Sequence, residues 1–231
     1  MGDQGQKNPT GRKATIASRV SEDLREAILG GKLKPGSKLN LDQLRKQYQV
    51  SLSPMREAVS RLVADGLVEF EDQCGYRIIP VSMTRLQEIT KLRSEMEPLA
   101  LSLSIANSDL DWESDVLAAL HRVNKAIAEG DPPHGGAEWA AAHSHFHAQL
   151  VKGCDMPLLI NFCSVLHRLN DRYLRMFSAG DSDNRNIADE HSAIAHAAVA
   201  GETKAACDLM RIHIERTGTH LATRLAAALH E

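Results

Sequence analysis

Residues 39–79, LNLDQLRKQYQVSLSPMREAVSRLVADGLVEFEDQCGYRII, constrain the fold of this chain more than any other stretch. Leu41, Leu44 and Tyr48 share one face of a helix expected over about 41–48, and Val50 anchors the turn after it. Ser51 and Ser53 are N-cap residue types, and Pro54 suits the first position of a second helix, where its missing N–H costs nothing. That helix carries Met55, Ala58, Val59 and Leu62 inward. Gly66 reads as a left-handed C-cap. Leu67–Phe70 and Tyr76–Ile79 then read as a two-stranded ribbon around Asp72, Gln73 and Gly75, and Pro80 ends it. A further helix is expected before this unit, over about 16–29, with Ile16, Val20, Leu24 and Ile28 as one buried stripe. Gly30-Gly31 stops it, and Pro35-Gly36 makes the next turn.

Helix, helix, helix, hairpin is the layout of a winged helix-turn-helix, whose last helix enters the DNA major groove. The candidate DNA contacts are Arg45, Ser51, Ser53, Pro54, Arg56, Ser60 and Arg61, with Gly75 and Tyr76 in the wing. A guanidinium near a helix N-terminus bonds phosphate and base edges bidentately, and the helix dipole favours the same anions. The competing reading pairs Arg56 internally with Glu57 or Glu69.

This segment resembles the reader domain of the GntR family of bacterial transcription regulators. ILGGKLKPGSKLN is similar to the family's stretch between the first two helices, SLSPMREAVSRLVADGLVE to its recognition helix and GYRI to its wing. Leu52 and Asp42 stand where family members often have DNA-contacting arginines, so operator preference does not carry over, while Arg56 matches the retained arginine. The charge is consistent with a small basic head on an acidic body. Residues 1–80 hold 13 Lys+Arg against 10 Asp+Glu, and the remainder holds 14 against 20.

Residues 1–12 are polar and read as a disordered arm, 13–80 as the winged domain and 81–231 as a second, helical domain. The second domain shows no strand pattern. Six helices are expected, at about 84–107, 111–129, 137–153, 157–178, 184–200 and 202–229. The breaks between them include Gly130-Asp131-Pro132-Pro133 and Ala179-Gly180-Asp181. The fold class is therefore mainly α, an amino-terminal winged helix-turn-helix followed by an all-helical bundle. No apolar run approaches 18 residues, so no membrane partner is expected. Cys74, Cys154, Cys163 and Cys207 lack metal-site spacing and read as free thiols of a reducing cytoplasm.

The chemistry of the bundle lies in its histidines. His143 and His147 stand one turn apart on the face that also bears Trp139 and Leu150. His191 shares a stripe with Ile187, Ile194 and Ala198, and His213 with Met210 and Thr217. Four inward imidazoles are costly when unpaired, and a divalent transition metal would satisfy them together, zinc first, with nickel, copper or iron as alternatives. The competing reading is a hydrogen-bonded core. His121 and His145 read as solvated, His196 lies off the face of His191, and His220 is nearly in line with His213 as a fifth candidate.

This half resembles the FCD ligand-sensing domain of one GntR branch. LRSEMEPLALSLS is similar to its opening helix, HSHFHAQLVKGCDMPLL to its D-xxx-H helix and DEHSAIAHAAVAGETKAACDLMRIHI to its last two helices. The resemblance implies a divalent metal on the floor of an effector pocket, with His143 in the usual place of an Asp. In this respect it is similar to the branch sensing small dicarboxylates such as glutarate or 2-hydroxyglutarate. A small carboxylate effector would be clamped by Arg93 and Arg172, for which the competing partners are Glu95, Glu97 and Asp171. The expectation is a cytoplasmic homodimeric repressor of a palindromic double-stranded operator, released by that effector. Two alternatives remain. One is a metal-dependent hydrolase, although Ser144 occupies the place of the general-base Glu in an HExxH site. The other is a DNA-binding protein whose helical domain is only structural.

Overall fold

A computed structural model of the chain describes residues 15–129, 137–177 and 186–230. The expected arm over 1–12 and the breaks at 130–133 and 179–181 lie outside the described residues. The chain divides between Pro80 and Val81 into two compact units, each with its own core.

In the first unit, α1 (Ile16–Leu29) is capped by Thr15, whose side chain accepts from the Ser18 N–H. Val20, Leu24 and Ile28 are buried as expected, joined by Ala17 and Ser21. Ile16 is half exposed, because it lies in the first turn, at the edge of the stripe. Asn40 caps α2 (Leu41–Gln47), and Gln49, at φ 53, reverses the chain toward α3 (Leu52–Ala64). Ser51 occupies the N-cap of α3 but makes no side-chain cap bond. Pro54 falls at the third helical position rather than the first, where the N–H is still one that lacks an intrahelical acceptor. Gly66, at φ 70, turns the chain out of α3 after Asp65.

The ribbon consists of β2 (Val68–Glu71) and β3 (Gly75–Ile78), paired antiparallel with Phe70 opposite Tyr76. A third, two-residue strand, β1 (Lys38–Leu39), pairs with Arg77 and Tyr76 on the other edge of β3. Sequence periodicity cannot reveal two residues. β1 exists because Ile78 donates to Ser37 O and Gly36 to Ile78 O, leaving Leu39 buried. Met55, Ala58, Val59 and Leu62 of α3 pack with Val20, Leu24 and Ile28 in one core.

The second unit is six helices: α4 (Met83–Ala106), α5 (Leu110–Glu129), α6 (Ala137–Lys152), α7 (Pro157–Phe177), α8 (Ile187–Val199) and α9 (Thr203–His230). α4 is central and packs against α6, α7, α8 and α9, while α5 covers α6 and α8. Its N-cap Ser82 is gripped by Tyr173 of α7, whose hydroxyl accepts from the Ser82 N–H and donates to the Ser82 carbonyl, both at 3.2 Å. No described helix is long and apolar enough to cross a membrane, and the four cysteines are free thiols.

Candidate metal centre and nucleic-acid interface

Burying one face of α3 leaves Ser53, Arg56, Ser60 and Arg61 exposed on the other, where the spacing of Ser53, Arg56 and Ser60 places them along one line. Arg56 makes no ion pair among the described residues, so the alternative of pairing with Glu57 or Glu69 is not realised. Arg61 donates to Glu57 at 2.7 Å and to Ser18 Oγ at 3.0 Å, and Arg45 donates to Asp42 at 2.8 Å. In the wing, Gly75 adopts φ 85, and Tyr76 packs its ring 5.1 Å from that of Phe70.

In the helical unit, α6, α8 and α9 bring His143, His147, His191 and His213 together. All four are at most 4 % exposed. Their ligand nitrogens lie within 4.8 Å of one another. Donors about 2.0–2.1 Å from a tetrahedral ion stand roughly 3.4 Å apart, so small side-chain rotations close this envelope around a metal. The tautomers fit as well. His147 Nδ1 lies 3.3 Å from Glu97 Oε2 and His213 Nδ1 lies 2.8 Å from Glu190 Oε2. A carboxylate only accepts, so each Nδ1 carries the proton and each Nε2 keeps its lone pair, the carboxylate–histidine pairing typical of metal sites. His147 Nε2 and His143 Nδ1 are buried without a hydrogen bond among the described residues. Burial, reinforced by the neighbouring imidazoles, holds His143 well below the ordinary histidine range, in the neutral form a metal requires. For His147 burial also wins, against the opposing pull of Glu97.

Arg93, expected from the sequence as an effector clamp, and three polar side chains not expected there, Glu97, His167 and Asp171, complete the cluster. Burial alone would raise the pKa of Glu97, but the charge of Arg93 and the bond from His147 outweigh it and keep Glu97 ionised. Arg93 grips Glu97 through Nε and again through Nη2 at 3.3 Å, the internal pairing weighed against its role as a clamp. His167 of α7 lies beside the site, its ring 5.3 Å from that of His143 and 4.8 Å from that of His147. Asp171, one turn on, accepts from Ser144 Oγ at 3.0 Å. His167 could have been found: it lies one turn beyond Cys163, on the buried stripe that continues through Asn170 and Leu174. His121, His145 and His196 are exposed and His220 is half-buried.

Arg172 is only 3 % exposed, and its Nε and Nη2 have no hydrogen-bond partner among the described residues. Burial lowers its pKa and the nearby charge of Arg85 adds to that, so an anion at this place would be welcome. Neither Glu95 nor Asp171 pairs with it among the described residues.

Comparison with known proteins adds the context. Residues 16–78 match the family described as bacterial regulatory proteins, gntR family, and residues 88–216 match the FCD domain. An uncharacterized HTH-type transcriptional regulator, BphR of Paraburkholderia xenovorans, is 31% identical over 209 residues, 90% of this chain and 85% of its own. The HTH-type transcriptional repressor GlaR of Escherichia coli is 34% identical over 195 residues, 83% of this chain and 89% of its own. The solved structure of E. coli McbR/YncC superposes with a TM-score of 0.75 at 21% identity, covering 91% of this chain and 99% of that one. At that identity the likeness establishes the fold.

Proposed function

This chain belongs to the gntR family of bacterial regulatory proteins, DNA-binding transcription regulators rather than enzymes, and carries an FCD domain; from that membership we propose that it is a metal-dependent, carboxylate-released repressor. The observation that carries the reading is the convergence of four buried imidazoles, two of them held in one tautomer by Glu97 and Glu190. His143, His147, His191 and His213 would hold a divalent ion, zinc or nickel by donor chemistry. Such an ion supplies a Lewis-acidic position for an anionic oxygen. His143 in place of a carboxylate leaves the centre more positive, which favours a small dicarboxylate.

Arg172 is the better candidate for the far carboxylate, since two of its buried guanidinium nitrogens, Nε and Nη2, are unsatisfied among the described residues. Arg93 is committed to Glu97 and acts by orienting it. On the DNA side, α3 would enter the major groove with Arg56 and Ser60 toward base edges and Ser51, Ser53, Arg45 and Arg61 toward phosphates. Pro54 would shape the helix start, and Gly75 with Tyr76 would carry the wing. The naming of GlaR as a repressor supports repression here. A homodimer on a palindrome is supported by the exposed Leu92 and Leu99 of α4 and Leu158 and Phe162 of α7, apolar side chains on two helices that pack together.

The test is to select operators from random duplexes with the full chain, then titrate the complex with glutarate and related diacids. Release by a diacid, lost in Arg172→Ala with DNA affinity intact, supports the reading. Binding that no small carboxylate weakens contradicts it.

A further inference from the structure

The four-histidine centre leaves one imidazole over. His167 is buried, and its Nδ1 stands 3.3 Å from Arg93 Nη2. A guanidinium can only donate, so Nδ1 must accept. In the neutral ring the single proton then sits on Nε2. Among the described residues, that Nε2 has no hydrogen bond, and the nearest carboxylate, Asp171 Oδ1, is 3.9 Å away. A ring nitrogen of His167 also lies within 4.8 Å of a ligand atom of His143, and one within 4.8 Å of a ligand atom of His147. His167 is therefore the mirror of His147 and His213. Carboxylates fix those two as lone-pair donors to an ion, whereas Arg93 fixes His167 as an N–H donor just outside the same centre.

We propose that His167 donates a hydrogen bond from Nε2 to an anionic carboxylate oxygen seated at the histidine centre, and that Arg93 is the positioning residue that holds it in that tautomer. This rests on the metal reading above and deepens it by naming the residue that recognises the near end of the effector. It also gives Arg93 a different role from a direct clamp: its charge reaches the effector through the imidazole. The same arrangement disfavours His167 as a ligand of a second ion. Binding through Nε2 would require that nitrogen to lose its proton while Nδ1 still faces a cation.

The test uses the full chain loaded with Co(II), whose visible spectrum reports added ligands, in wild-type, His167→Phe and His167→Gln forms. Each is assayed for cobalt per chain and titrated with acetate and with glutarate. All three should hold about one cobalt per chain. The acetate dissociation constant should weaken about tenfold or more in the Phe variant, which has no donor, and return toward wild type in the Gln variant, whose amide N–H replaces it. Equal acetate binding in wild type and the Phe variant overturns the proposal while leaving the metal reading standing. Loss of cobalt in the Phe variant overturns it in another way, by making His167 a ligand. A wild type that takes up no cobalt, or whose cobalt responds to neither acid, overturns the metal reading and this proposal with it.

Discussion

At the scale of single residues, the side chains that would hold an ion are distinct from those that orient them. Glu190 never needs to touch a metal, yet it fixes the proton on His213 Nδ1. Glu190→Gln should therefore weaken metal affinity about 10–100-fold while leaving the helical content unchanged, as a competition titration against a chromophoric chelator would show. Cys163 provides a check of a different kind. Burial pushes its thiol up to about 12. Near pH 8 it should stay protonated and resist a disulfide reagent in the folded protein, whereas the exposed Cys74 reacts at once. Rapid labelling of Cys163 under native conditions would show that α7 is not packed as described. The four histidines were legible in the sequence because helical spacing alone put each on an apolar stripe. His167 could have been placed on a buried stripe in the same way, but its role was hidden, because Arg93, seventy-four positions away in the chain, meets it only in the fold.

At the scale of elements, sequence patterning located α4 to α9 to within a few residues through the turn residues that separate them, although α4 and α9 carry little amphipathic periodicity of their own. It missed β1, whose two residues are fixed by pairing with β3 rather than by any pattern of their own. It also could not show how closely α4 and α9 approach. A Cβ on Gly218 of α9 would stand 2.4 Å from Thr90 Cγ2 of α4. In an open helix Gly→Ala gains up to about 1 kcal/mol, but overpacking of this kind costs about 1–3 kcal/mol. Gly218→Ala should lower the midpoint of urea unfolding, and adding Thr90→Ala should recover part of the loss. Stabilisation by the single substitution would mean that the two helices are not in contact there. In the first unit, the exposed face of α3 leads to a parallel expectation. Arg56→Ala should cost about 1–3 kcal/mol of operator affinity if it reads a base edge, and should relax selectivity at one position. A uniform loss across sequences with a shallower salt slope would make it a phosphate contact instead.

At the scale of the whole molecule, the chain has two units with separate cores, and the proposed function divides reading DNA and sensing a ligand between them. Coupling between the two tasks is a free-energy difference, typically about 1–3 kcal/mol, and the effector must bind the DNA-free state better by that amount. A homodimer through α4 and α7 would bury Leu99 and Phe162, so Leu99→Asp with Phe162→Asp should yield monomers by light scattering and weaken operator binding. A dimer unaffected by both charges would place its interface elsewhere. The reader half was legible from turn chemistry and helix patterning. The proposed effector pocket was less so, because only the fold shows that Arg172 keeps buried donors without a hydrogen-bond partner among the described residues. Whether the buried histidines hold a metal is decided by elemental analysis of protein purified without chelator or histidine tag, with wild type beside His147→Ala. About one divalent transition metal per chain is expected in wild type and none in a variant that remains folded. Wild-type protein without metal, or equal metal in both, would contradict it.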